Sequence, residues 1–309
     1  MHPTLFSLFG YDVSSYMLLI AVGFVFATAM GAIWVRRVGQ NPDVIVDLGL
    51  ASVVAGLVGA RLLHVVADGY FWDYVHLCTD PSRVSWPVLK SECLGRLDGI
   101  WDAQAAVCHP KRADCWSWAQ IWGGGLTFYG GFVAATLAAG WLFRRDRFPF
   151  WKGIDMGGMM VPIGLGLGRL GCVMVGCCFG KTCDMPWALH FPSHSPASEW
   201  QFRQKLLATP IDESLAVHPT QLYEALAAFA IAAFGILYVQ GRKRYDGQVF
   251  VVFCVGYAIS RFMIEFWRSD DRGGWLWLST SQWIGIAMLL VGLGIHCGRV
   301  WRRPRQVWV

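Results

Sequence analysis

Charge is what this chain has least of. Only 15% of its 309 residues are Asp, Glu, Lys or Arg, against 55% that are hydrophobic, and the mean hydropathy is +0.42. That balance excludes an ordinary soluble domain and points to a polytopic membrane protein. No Lys or Arg precedes Arg36. The first apolar run therefore lacks the basic segment of a cleavable signal peptide and is expected to remain as a span. No two of the ten cysteines stand as Cys-x-x-Cys, which argues against a thiol oxidoreductase. No internal repeat and no low-complexity linker divides the chain, so residues 1–309 read as a single membrane domain.

What is present is a series of apolar runs. Seven stretches, about 16–35, 44–66, 123–143, 154–178, 220–239, 248–267 and 282–298, are each near the length a bilayer requires. The net charge of +5 does not suggest nucleic acid, because the basic residues follow topology. Arg36 and Arg37 follow the first span, Arg144, Arg145, Arg147 and Lys152 the third, Arg242, Lys243 and Arg244 the fifth, and Arg299, Arg302, Arg303 and Arg305 the seventh. The positive-inside rule places those loops in the cytoplasm, the N-terminus outside and the C-terminus inside. The expected fold is thus an all-α membrane protein of seven transmembrane helices with two extracytoplasmic insertions, 67–122 and 179–219.

The first insertion is acidic and rich in tryptophan, including Trp72, Trp86, Trp101, Trp116, Trp118 and Trp122, and holds Cys78, Cys93, Cys108 and Cys115. Four cysteines outside the cytoplasm are expected to form disulfides; any of the three pairings is open, and zinc is the weaker reading. The second insertion includes a candidate surface helix at 198–208 and Cys183.

The stretch PIGLGLGRLGCVMVGCCFG, from Pro162 to Gly180, carries Arg169 inside an apolar run. An arginine at bilayer depth costs roughly 2.5–3.5 kcal/mol, so it marks a candidate anion site. Gly164 and Gly168 are expected to let helices approach closely. Cys172, Cys177 and Cys178 lie in the same stretch, as disulfides or as buried thiols. In YAISRFMIEFWR, the residues Tyr257, Arg261, Glu265 and Arg268 form one stripe on an ideal helix. His218, Gln221 and Glu224 open the fifth span, where Glu224 also suits the helix macrodipole. Arg61 and His64 share a face at the end of the second span, either as snorkelling side chains or as site residues. Arg169 and Arg261, on different spans, suggest a clamp for a phospholipid headgroup, since guanidinium suits bidentate anion recognition.

GRLGCVMVGCCFG at 168–180, HPTQLYE at 218–224, RFMIEFWR at 261–268 and GGLTFYGG at 124–131 together resemble the prolipoprotein diacylglyceryl transferase family. The resemblance covers nearly the whole chain apart from 67–122. It implies an enzyme of the bacterial cytoplasmic (inner) membrane that moves the diacylglyceryl group of phosphatidylglycerol onto the lipobox cysteine of a prolipoprotein signal peptide, forming a thioether. No metal or diffusible cofactor is implied. Arg169 and Arg261 match the family's essential arginines; Tyr16, Gly180, Tyr257, Glu265 and Arg268 match further positions. The expected catalytic set is Arg169, Arg261, Tyr129 and Glu265. The expected binding set is Tyr16, Arg61, Gly168, Gly171, Gly180, His218, Gln221, Glu224, Tyr257 and Arg268.

Two departures stand out. The family's histidine in GG-x-x-F-H-GG is Tyr129 here, and a phenol with a pKa near 10 is a poor base at neutral pH. Cys172 and Cys177 replace an amide and a carboxylate. The alternatives are a related phospholipid-dependent transferase with another acceptor, and a non-catalytic lipid-binding or transport protein; the missing repeat partner argues against transport.

Overall fold

The computed structural model describes residues 4–8, 11–86, 88, 90–95, 99–121, 125–269 and 274–301. An antiparallel hairpin, β1 (Thr4–Leu8) and β2 (Tyr11–Ser14), leads into α1 (Ser15–Arg37) and α2 (Asp43–Ala67). Then come α3 (Phe71–Thr79), α4 (Lys90–Leu94) and the short hairpin β3 (Ile100–Asp102) and β4 (Val107–His109). Next are α5 (Phe128–Arg145), α6 (Phe150–Val175), α7 (Pro196–Arg203) and α8 (Thr220–Ala233). A π-helical turn, Phe234–Val239, continues α8 into α9 (Gln240–Arg242). The chain ends with α10 (Gln248–Ile264), the pair β5 (Gly274–Trp275) and β6 (Leu278–Ser279), and α11 (Thr280–Trp301).

Among the described residues, six helical stretches are long and apolar enough to cross a membrane, so this is a multi-pass membrane protein. The stretch expected to span at 123–143 is not among them. Its helix starts only at Phe128, has 18 residues, and ends in Arg144 and Arg145. Trp122, Arg302, Arg303 and Arg305 lie outside the described residues.

The chain forms two compact units, residues 1–46 with 148–309, and residues 47–147. In the first, α6 is the central helix. It packs against α1, α8 and α10, and 44% of its most apolar window is buried, against 17% for α1 and 11% for α11. Its close approaches correct the sequence expectation. Gly164 and Gly168 have open space beside them, whereas a Cβ on Gly166 would strike the Phe229 ring at 2.5 Å. Ile163 and Leu167 of α6 instead line an apolar groove of about 430 Å³ with Val22 and Phe26 of α1 and Phe229 of α8.

One end of α6 is held by Asp155, which is fully buried. Its Oδ2 accepts from Lys243 Nζ at 2.7 Å, and its Oδ1 accepts from the backbone N–H of Val249 at 2.9 Å. A carboxylate from one helix thereby caps the first turn of another. Burial opposes the charge on Lys243, but its hydrogen bonds to Asp155 and Asp246 outweigh that and raise its pKa.

Residues 179–219 build a small core from Phe179, Phe191, Ala197 and Val217. The expected helix at 198–208 is shorter and earlier. Ser195 and Ser198 form a capping box that starts it at Pro196, and it ends at Arg203.

In the second unit, α2 and α5 meet through glycines, since a Cβ on Gly130 would collide with the carbonyl of Gly59. The insertion is pinned by two disulfides, Cys78–Cys115 and Cys93–Cys108. This pairing was open from sequence.

Candidate functional site

Three of the expected site residues of the first unit, Arg169, Arg261 and Arg268, gather around one carboxylate. Glu224 sits in the first turns of α8 and is 3% exposed. Its Oε2 lies 2.7 Å from Arg169 Nε, and its Oε1 accepts from Arg268 Nη1 at 2.8 Å. Arg261 Nη1 stands 3.9 Å from the same Oε1. Three arginines from separate parts of the chain thus share one buried acid, a hub that sequence spacing alone did not show.

The arginines are not equivalent. Arg261, 4% exposed, donates to Glu265 at 2.5 Å and to Ser281 Oγ at 2.7 Å. Both ends of its fork therefore have protein acceptors. Arg169 is held through Nε alone, and that contact is an ion pair off the hydrogen-bond axis. Its two Nη nitrogens have no hydrogen-bond acceptor among the described residues. Arg169, at 15% side-chain exposure, is also the more accessible. Three guanidinium and two carboxylate groups leave one surplus positive charge in a low-dielectric setting, which favours an anion.

The stripe expected along Tyr257, Arg261, Glu265 and Arg268 breaks after Ile264. Residues Glu265–Trp267 tighten into a 3-10 turn and Arg268 becomes extended. The reason is pairing with the segment after α6: Gly180 bridges Arg268, and Lys181 N–H donates to the Trp267 carbonyl at 2.7 Å. Tyr257 stays on α10, stacked on Phe253.

Gly180 lies where three segments cross. A Cβ there would come within 2.6 Å of the Trp267 carbonyl oxygen and 2.7 Å of His218. His218 Nδ1 is 3.2 Å from the Tyr223 hydroxyl, which accepts from Trp187 Nε1 at 2.7 Å. Trp187 and Ser281 were not anticipated, because nothing in their local sequence marks them; Tyr223 lies within HPTQLYE but was not singled out. Gln221 donates to the Cys177 carbonyl at 2.7 Å and Thr220 to the Cys178 carbonyl at 2.8 Å, so the start of α8 clamps the turn that follows α6. The Gln221 Oε1 is buried and has no hydrogen-bond partner among the described residues. Tyr16 packs against Gly171, whose Cβ would fall 3.0 Å from its ring.

Arg61 and Tyr129 belong to the second unit. Arg61 donates to the carbonyls of Trp118 at 2.7 Å, Ser117 at 2.7 Å and Gly125 at 3.1 Å, and stacks over Tyr74. It ties the insertion to α2. His64 lies 2.9 Å from Asp68, which also accepts from Thr127. Tyr129 is 49% exposed.

A model of the family described as "Prolipoprotein diacylglyceryl transferase" matches residues 3–297. The chain belongs to the prolipoprotein diacylglyceryl transferase family. Members named phosphatidylglycerol–prolipoprotein diacylglyceryl transferase are similar along most of their length. One from Clostridium tetani is 25% identical over 293 residues, 95% of this chain and 96% of the relative. One from Paraburkholderia xenovorans is 32% identical over 278 residues, 83% and 87% respectively. One from Chromohalobacter salexigens is 29% identical over 311 residues, 99% and 94%. These identities describe a divergent family member, consistent with cysteines at 172 and 177.

Proposed function

We propose that this protein transfers the diacylglyceryl group of phosphatidylglycerol to the cysteine thiol of prolipoproteins. The observation that carries the reading is Arg169: an arginine in an apolar helix, pinned to Glu224 through Nε with its terminal nitrogens unfilled, in a chain that matches the family over 3–297. Such a fork suits a phosphate oxygen pair. The apolar groove along α6 suits an acyl chain, and the open space beside Gly164 and Gly168 leaves room for one.

The acceptor is the lipobox cysteine of a signal peptide. Its sulfur loses a proton and attacks the diacylglyceryl carbon that bears the phosphate ester. The carbon–oxygen bond breaks, a thioether forms, and glycerol phosphate leaves with the electron pair and takes up the proton. Surplus positive charge favours the thiolate and stabilises the charge gathering on the leaving phosphate. Arg169 contacts the phosphate, and Arg261 adds to the field while holding Glu265. Arg268 and Glu224 set the geometry of Arg169. Tyr16, Gly168, Gly171, Gly180, His218, Gln221 and Tyr257 shape the headgroup site, and Tyr129 orients headgroup or thiol by a hydrogen bond. Arg61 holds the insertion in place. The chain crosses the bacterial inner membrane seven times, with α5 as the third span, the N-terminus periplasmic and the C-terminus cytoplasmic.

The test is the purified chain in phosphatidylglycerol vesicles with a lipobox peptide. The expected product is the peptide carrying the diacylglyceryl mass on its cysteine, and glycerol phosphate in equal amount. An unmodified peptide with well-folded protein and verified lipid sinks the reading. Product from a peptide without a lipobox, at the same rate, reassigns the acceptor.

A further inference from the structure

The turn after α6 folds three thiols together. Helix α6 ends in a left-handed cap at Gly176, φ +80°, with the Gly176 and Cys177 N–H groups both directed to the Cys172 carbonyl, at 2.9 and 3.2 Å. Cys178 is also left-handed, φ +62°, a conformation that costs a non-glycine residue energy and persists only where its surroundings enforce it. Gln221 and Thr220 supply that enforcement through the carbonyls of Cys177 and Cys178. The result is that the sulfurs of Cys172, Cys177 and Cys178 all lie within 4.8 Å of one another. None of the three is in a disulfide. Cys183, Cys254 and Cys297 stand outside the group.

We propose that Cys172, Cys177 and Cys178 form a three-thiolate zinc site with one open coordination position. Zinc bonds thiolate at about 2.3 Å in a tetrahedron, which sets the sulfurs about 3.8 Å apart. The arrangement needs to tighten by about an ångström at most. Among the described residues the group offers three ligands, and three protein ligands with a fourth position left over is the pattern of a reactive zinc site rather than a structural one. Zinc with three thiolates carries a net negative charge, and Arg169, one helical turn before Cys172, lies within electrostatic reach of Cys172 and Cys178 to balance it. Resting on the transfer reading above, the open position is where the acceptor cysteine binds: zinc takes the acceptor sulfur as thiolate, because a coordinating thiol is deprotonated outright. The released proton passes to the departing glycerol phosphate, so the overall balance is unchanged.

The test uses the full chain purified in detergent without chelator. Elemental mass spectrometry should find about one zinc per chain. Cys172→Ser, Cys177→Ser and Cys178→Ser should each lose it, and Cys183→Ser and Cys297→Ser should retain it. Should a serine variant fail to fold, wild-type protein still decides. Its three thiols should resist alkylation with zinc bound and react after chelation. Cobalt(II) in place of zinc should show thiolate charge-transfer and tetrahedral d–d bands, and the d–d bands should shift with a lipobox peptide but not with its Cys→Ser version. Metal-free protein with three alkylatable thiols, or a disulfide between any two of them, overturns the site. Bound copper(I), or cobalt bands indifferent to the peptide, overturns the open position. A zinc-loaded protein that binds the peptide thiol yet yields no thioether upholds the site and refutes the transfer reading instead.

Discussion

The two ends of α6 both bury charge, about 21 Å apart along the helix, and they treat it in opposite ways. At Asp155 every strong group has a partner. The carboxylate is fully buried, accepts from Lys243 and from the first turn of α10, and Lys243 is shared with Asp246 at 2.7 Å. Two acids against one lysine would leave a negative surplus, which the positive end of the α10 macrodipole offsets. At Arg169 the account stays open: three arginines meet two glutamates, and one guanidinium has unfilled donors. A buried ion pair by itself therefore says little about function. An ion cluster left incomplete on one side, beside open space, says much more.

That contrast can be broken experimentally. The largest effect is expected at the closed end. Asp155→Ala should cost about 3–5 kcal/mol of stability, because it leaves the N–H groups of Val249 and Phe250 unmet and Lys243 with Asp246 alone. Unfolding in mixed detergent micelles reads this, while transfer per folded molecule stays near wild type. A well-folded Asp155→Ala protein without activity would erase the distinction between the ends. At the open end, Arg169→Ala should lower turnover about 10²- to 10³-fold with modest change in stability. Arg169→Lys should recover only part, since a point charge lacks the planar fork; full recovery would reduce Arg169 to a source of field.

Tyr129→Phe asks whether the surplus charge suffices without a hydroxyl. We expect a loss of about 1–2 kcal/mol in transition-state stabilisation, roughly ten- to thirtyfold in rate across pH 6 to 10. Complete inactivity would make Tyr129 the proton acceptor, and full activity would make it packing. The smallest effect is expected from Ser281→Ala. It removes one acceptor from Arg261 and should slow transfer by about fivefold, near 1 kcal/mol. A loss as large as that of Arg169→Ala would show that Arg261 depends on Ser281 for its position.

Arg169 and Arg261 were legible in the sequence because a charge inside an apolar run is expensive wherever the chain folds. Six of the seven expected spans were legible for the same reason. The role of Glu224 was not: its spacing from Gln221 describes one helix face, whereas its partners come from α6, α10 and the turn beyond. Arg268 was misplaced because helical arithmetic assumes that the helix continues, and pairing with Gly180 ends it. The disulfide connectivity and the meeting of Cys172 with Cys177 and Cys178 depend on tertiary closure and on a left-handed cap, neither of which spacing encodes.

The π-helical turn at Phe234–Val239 acts as a phase correction. Glu224 and Lys243 are 19 residues apart, which in an unbroken α-helix would turn them about 100° away from each other. One extra residue absorbed by the wide turn makes nineteen steps rotate like eighteen, about five whole revolutions. Both side chains then look the same way, toward α6, one at each of its ends. Deleting a single residue from that turn would regularise the helix to eighteen steps and leave both clusters paired, whereas regularising it with all nineteen residues kept would force a choice between them.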